Sequence, residues 1–224
     1  MNALSWLTRR RTTLPGGRAA DDTPLAQQRL VVLDLETSGL DLKRDQVLSI
    51  GAVVIDGGAI QLGEQFECTL QRDGHTVSAS VLIHGLAPSA IAAGIEPAEA
   101  LLAFMEFLGD SPLLAFHAGF DQRMLARALK DTLNLRLRHP FYDVAELAPM
   151  LCPQAEIRNG GLDDWTAYFG LQVGQRHHAS ADALVTAELA LILFSRARKQ
   201  QADSLKALEQ RLKSWRQRLQ GHSL

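Results

Sequence analysis

The run Leu30-Val31-Val32-Leu33 leads directly into Asp34-Leu35-Glu36. A short leucine and β-branched stretch with no polar side describes a buried strand, and such a strand needs cover on both faces. Asp34 and Glu36 are two positions apart, so on a strand their side chains project from the same face. Burying that pair is costly unless something positive lies between the carboxylates. Hard divalent cations prefer oxygen ligands of this kind. Taken alone, the pair also reads as two solvated turn acids just past the end of the strand.

The rest of the chain supplies the other layers. Segments 47–55 and 59–70 flank Asp56-Gly57-Gly58, a hairpin signal whose glycines tolerate positive φ. Apolar spacing predicts a helix over 96–108 stopped by Gly109, a strand over 113–117, a helix over 120–129 and a strand over 140–142. Helices follow over 144–151, 162–169 and 180–198, the last with Ser180 as its N-cap. Strands that begin antiparallel and then alternate with helices predict an α/β fold, a mixed five-stranded sheet with helices on both faces. Trp165 is expected in the core, and Asp143, Asp163 and Asp164 as caps or turn acids.

With 224 residues, the chain suits a main domain over 30–198, a basic extension over 1–29 and a basic amphipathic helix over 199–224. Leu205, Leu208, Leu212, Trp215 and Leu219 form an apolar seam on that helix. It is about two heptads long, short of a coiled coil. Docking onto its own domain is one use for such a seam; self-association or a protein partner is the other. Charge is uneven. Residues 1–29 hold five arginines and two aspartates, a net +3, and residues 199–224 hold six cations and two anions, a net +4. The overall charge of −2 therefore leaves −9 on the middle of the chain. An acidic middle argues against coating DNA broadly, since that affinity comes from neutralising many phosphates. It suits a pocket that gathers metal ions and grips a strand end. Cys68 and Cys152 lie far apart without metal-ligand spacing, which predicts a reducing, cytoplasmic setting. No apolar run approaches the roughly 20 residues of a membrane helix, and the order of charge and apolar residues at the start is wrong for a secretory signal.

Two further stretches carry chemistry. Asp121 stands in Phe116-His117-Ala118-Gly119-Phe120-Asp121, at the entry to a helix, where an acid is also favoured by the helix dipole. His177 precedes Asp182 by five residues, with Asp182 in the first turn of an apolar helix; a loop histidine near neutral pKa can take a proton from water. LVVLDLETSGLD, with VLSIGAVVIDGG downstream, resembles the first motif of the DEDD-type 3′–5′ exonuclease superfamily. The Asp121 stretch resembles the second motif, with His117 where an Asn often stands. His177 with Asp182 resembles the last motif of the branch that carries a His. The resemblance spans about residues 30–195. Within the superfamily it is to the proofreading epsilon subunit of bacterial DNA polymerase III and its stand-alone relatives.

The resemblance implies a ribonuclease H-like fold and hydrolysis of the terminal phosphodiester of single-stranded DNA 3′ ends, releasing nucleoside monophosphates. It implies two Mg²⁺ ions, replaceable by Mn²⁺, held by Asp34, Glu36, Asp121 and Asp182, and His177 as general base with His178 as its fallback. Thr37, Ser38, Gly39, Leu40 and His84 would lie at the terminal nucleotide. Three alternatives share these residues: trimming of RNA ends, a non-catalytic nucleic-acid-binding scaffold, and hydrolysis of free nucleotides.

Overall fold

The computed structural model describes residues 14–72, 85–157, 159–172 and 178–221. Five strands form one sheet in the order β3-β2-β1-β4-β5. β1 (Leu30–Thr37), β2 (Val47–Asp56) and β3 (Ala59–Thr69) are antiparallel neighbours, joined between β2 and β3 by the Gly57-Gly58 turn with both glycines at positive φ. β4 (Leu113–Ala115) runs parallel to β1, and β5 (Phe141–Asp143) parallel to β4. The mixed five-stranded sheet of the sequence reading is thus the one observed.

Side-chain alternation along β1 divides the core in two. Leu30 and Val32 face one apolar cluster, while Val31, Leu33 and Leu35 face the other. The helices α1 (Pro88–Ala92) and α2 (Pro97–Leu108) precede β4, and α3 (Ala118–Leu133) follows it. α2 and α3 cover the Val31 face through residues such as Phe104, Leu108, Met124 and Leu125. The Leu30 face is covered by α4 (Val144–Leu151), α5 (Leu162–Phe169), α6 (Ala179–Lys199) and α7 (Leu205–Gly221). Trp165 lies fully inside that second cluster, in the core as expected. Both cysteines are buried free thiols. Burial pushes the Cys68 thiol up to about 12.

Three boundaries differ from expectation, each for a local reason. β1 continues past Asp34 to Thr37 because β2 keeps pairing with it through Glu36↔Ser49, ahead of a bulge at Glu36/Thr37. β4 stops at Ala115, and His117 takes a left-handed conformation, φ 61°, that turns the chain straight into α3. α6 begins at Ala179, so its N-cap is His178, and Ser180 lies inside the first turn instead of capping it.

The apolar seam of α7 is spent on this same core. Leu205, Leu208 and Leu212 are buried, Trp215 packs against the cluster, and Leu219 is half exposed. Polar ties reinforce the docking. Tyr142 on β5 donates to Glu209 Oε1 at 2.8 Å, and Arg216 is paired with Glu146 on α4, with Nε 2.9 Å from Oε1. The N-terminal segment joins in, since the Leu25 amide donates to the Asp203 carbonyl and the Lys206 amide to that of Asp21. Among the described residues, no helix is long and apolar enough to cross a membrane.

Candidate nuclease site

Asp34 and Glu36 extend the Leu30–Val32 alternation, so they emerge on the face that α6 covers. Asp182 is buried in the first turn of α6. These three offer carboxylate oxygens that all lie within 4.8 Å of one another. Three anionic ligands at that spacing, at the rim of an apolar core, are a donor set suited to a hard divalent cation. The first turn of a helix also favours a carboxylate through its dipole, by about 0.3–1 kcal/mol.

Gly51 is what lets the helix reach the sheet. In the strand registers it lies between Asp34 on β1 and Glu67 on β3. A Cβ at this position would stand 2.1 Å from the Ala179 carbonyl carbon and 2.2 Å from the Ser180 nitrogen. The N-terminus of α6 therefore rests on bare backbone. From there Asp182 reaches Asp34 on one side of Gly51, and His178 reaches Glu67 on the other. His178 is held at both ring nitrogens, with Nε2 3.4 Å from Glu67 Oε1 and Nδ1 3.0 Å from Ser180 Oγ. The sequence reading did not single out Gly51; its only local signal is a glycine inside a strand pattern, a mark of close backbone approach.

Asp121 is buried in the first turn of α3, next to this group but outside the set of three. Burial pushes its carboxyl up to about 8. Backbone hydrogen bonds, its own and that of Leu35, oppose the rise, while the charges of Asp143 and Glu36 add to it. Asp121 thus feels the charges of Glu36 and Asp143, a repulsion that a bound cation would relieve. Asp143 caps α4 by accepting from the Ala145 amide at 3.0 Å, as its sequence context predicts. It also accepts from the His117 amide at 3.0 Å, which holds the β4–α3 turn and adds a further acid beside Asp121. Burial raises its carboxyl as well. Sequence reading missed that second task because the two residues are 26 positions apart.

The loop after β1 is held by its own polar groups. Thr37 Oγ1 donates to the Gly39 carbonyl at 2.8 Å, Ser38 Oγ donates to Asp45 Oδ1 at 2.8 Å, and Ser38 Oγ accepts from the Gln46 amide. That scaffold leaves the Leu40 side chain 83% exposed. The structure thus gathers Asp34, Glu36 and Asp182, sets Asp121 beside them, and orders Thr37, Ser38, Gly39 and Leu40 at the end of the same strand. His177 and His84 lie outside the described residues.

Residues 31–190 match the Exonuclease family, RNase T type. The chain is 33% identical over 172 residues to the PolC-type DNA polymerase III of Thermotoga maritima, covering 77% of this chain and 12% of that protein. It is 33% identical over 184 residues to a DNA polymerase III subunit epsilon-like protein of Rhodobacter capsulatus, covering 80% of this chain and 25% of that one. It therefore spans only a minor part of either relative. Among solved structures, exonuclease I of E. coli in complex with a dA16 oligonucleotide superposes with a TM-score of 0.65 at 19% identity, over 77% of this chain and 42% of that one. Exonuclease X in complex with 5′ overhanging duplex DNA superposes with a TM-score of 0.60 at 20% identity, over 74% of this chain and 91% of that one. These likenesses carry the ribonuclease H-like fold. With its match over most of the sheet and its helices, and an acidic group assembled from the first and last motifs, the chain belongs to the Exonuclease family of DEDD 3′–5′ exonucleases.

Proposed function

We propose that the protein is a metal-dependent 3′–5′ exonuclease that hydrolyses the terminal phosphodiester of single-stranded DNA and releases nucleoside monophosphates. The observation that carries this reading is the group of Asp34, Glu36 and Asp182 oxygens within 4.8 Å, in a chain of an exonuclease family. Support for DNA over RNA comes from the relatives, which are DNA polymerase III proteins, and from the exonuclease I and exonuclease X structures with DNA.

In this reading Asp34, Glu36 and Asp182 would hold one divalent cation, and Asp121 would serve a second beside it. Bound Mg²⁺ or Mn²⁺ would supply charge stabilisation to the attacking and leaving oxygens of an in-line displacement. The donor set fits such ions, being all carboxylate. His177, one residue ahead of the α6 N-cap, takes the proton from the attacking water. His178 is a poorer candidate for that base, because Glu67 and Ser180 already engage both of its ring nitrogens. The Thr37–Leu40 loop orients the terminal nucleotide, with the exposed Leu40 against its base. His84 is assigned to the same nucleotide by its sequence context alone.

The test incubates the protein with 5′-labelled single-stranded DNA and the matching RNA, in Mg²⁺, Mn²⁺ or EDTA, beside Asp182→Ala. The expected result is a ladder shortening from the 3′ end of DNA that needs metal and is lost in the variant. Faster shortening of RNA would make the enzyme a ribonuclease. No shortening of either polymer would turn the reading toward a binding scaffold or a hydrolase of free nucleotides.

A further inference from the structure

At the end of the sheet away from the acidic group lies a cavity of about 240 Å³. Its walls are the C-terminal halves of α2 and α3, at Met105 and Leu129, and residues 14–16 of the N-terminal segment. β5 runs parallel to β4 and β4 to β1, so the segment entering β5 lies level with the start of β1. Asp34 and Glu36 are roughly 20 Å farther along that strand. The segment entering β5 supplies the polar groups. Leu135 and Leu137 pack on the core, while Arg136 and Arg138 alternate with them, are exposed, and both line the cavity. No carboxylate is part of this lining, although the middle of the chain is strongly acidic.

Exposed arginines near helix ends ordinarily serve the last carbonyls of those helices. Here these carbonyls already have donors. Arg29 serves Phe107 and Leu108, the Leu135 amide serves Leu129, and the Asn134 amide serves Lys130. Among the described residues, neither Arg136 nor Arg138 has a hydrogen bond or an ion pair. His139 is a second, independent observation. It lines the same cavity, is 4% exposed, and has Nε2 2.8 Å from the Gly109 carbonyl, while Nδ1 is buried with no hydrogen-bond partner. A carbonyl only accepts, so Nε2 carries the ring proton and Nδ1 presents a lone pair. Burial favours this neutral form, against the charge of Asp110. The wall beside it is firmly seated: the Arg18 amide donates to the Asp110 carbonyl at 2.8 Å, and a Cβ at Gly17 would stand 2.5 Å from the His139 Cα.

We infer that this cavity binds the phosphate group of a small phosphomonoester or of inorganic phosphate, with Arg136 and Arg138 on its oxygens and His139 Nδ1 sharing its proton. Guanidinium forks match phosphate oxygens in pairs, which accounts for two unpaired arginines on one wall. Nδ1 in turn calls for a ligand that brings a proton. A phosphomonoester has its second pKa at about 6, so near neutral pH one proton can lie on a phosphate oxygen or pass to Nδ1. Sulfate carries no proton at that pH, so the imidazole selects between the two anions. The volume falls just below the roughly 300–1,000 Å³ of sites for larger organic ligands and suits an occupant of this size. Residues 14–16 lie outside the matched residues 31–190, so this wall is an addition to the family's fold.

The experiment is titration calorimetry in EDTA at neutral pH, so that no metal recruits phosphate to the acidic group. Inorganic phosphate, thymidine 5′-monophosphate and sulfate are the probes. The variants are the double surface change Arg136→Gln with Arg138→Gln, and His139→Gln, each checked by thermal melting. The wild type should bind phosphate about 10-fold more tightly than sulfate, and the double variant should lose at least about 10-fold for both, as expected for lost hydrogen bonds to a charged group. His139→Gln keeps a donor for the Gly109 carbonyl but no lone pair at the Nδ1 position, and should bind phosphate no better than sulfate. Tighter binding of thymidine 5′-monophosphate than of phosphate makes a phosphomonoester the occupant, and equal affinity makes it free phosphate; either upholds the inference. Equal affinity of the wild type for phosphate and sulfate overturns it, leaving an adventitious ion only. Unchanged phosphate affinity in the double variant overturns it too, as does no binding of either phosphate probe at millimolar concentration. Should His139→Gln fail to fold, the wild-type preference and the double variant, whose side chains are exposed, still decide. None of the probes holds a phosphodiester, so the outcome is independent of the exonuclease reading.

Discussion

Replacing Gly51 with alanine tests how the site is assembled. The added Cβ would lie 2.1 Å from the Ala179 carbonyl carbon and 2.5 Å from its oxygen. Non-bonded carbons rest at about 3.5–4.0 Å, so the N-terminus of α6 must retreat by roughly 1.5 Å. Neither partner is a flexible side chain that could swing aside; both are backbone. Asp182 sits in that same first turn and moves with it, opening the group now within 4.8 Å. A displacement of about 1 Å at a reacting centre costs on the order of 100-fold in rate. Overpacking costs about 1–3 kcal/mol. At about 2–4 °C per kcal/mol for a chain of this size, the melting temperature should fall by about 2–12 °C. Mn²⁺ titration, exonuclease rate and thermal melting of Gly51→Ala give the three readouts. Gly63→Ala is the control, as nothing lies within 4 Å of a Cβ built there on the adjacent strand. A Gly51→Ala protein with wild-type metal affinity and rate would refute the claim that close approach of α6 builds the site.

Asp121→Asn should abolish metal-dependent activity yet raise the melting temperature in EDTA by several degrees, because the amide removes an acid that burial and the charges of Asp143 and Glu36 oppose. An unchanged or lower melting temperature would count against that crowding. Saturating Mn²⁺ should stabilise the wild type by about 2.7 kcal/mol at 100 times the dissociation constant, and Asp34→Ala should show little of this shift in the same melting assay. His139 donates from Nε2 to the Gly109 carbonyl at 2.8 Å, and burial lowers its pKa. The unfolded chain therefore takes up the proton first, and stability falls as the pH drops through about 6.5. His139→Gln should melt with a flatter dependence between pH 7.5 and 5.5 on the order of that titration, and an identical slope would exclude His139 as the cause.

Much of this protein was legible in its sequence because the decisive signals are local. A period of two placed Asp34 and Glu36 on one face, and apolar spacing placed Asp182 in the first turn of a long helix and Trp165 in the core. The hairpin at Gly57-Gly58 and the capping role of Asp143 follow from neighbours in the chain. Other features depend on residues far apart, and periodicity carries no information about them. Whether Asp34 and Glu36 were solvated turn acids was settled only by β2, whose pairing carries β1 through Glu36 to Thr37. Ser180 has the composition of an N-cap, yet contact of Ala179 and Ser180 with Gly51 starts the helix one residue earlier. The α7 seam could have served a partner as well as its own domain, and in the fold Leu205, Leu208 and Leu212 are buried in the cluster that β1, β5 and α4 share. Sequence thus determined which residues are acidic, apolar and aligned. Cross-strand register and the depth to which a helix can settle on a glycine determined which of them meet, because those distances are set by pairing and packing between separate segments, Gly51 against Ala179 above all.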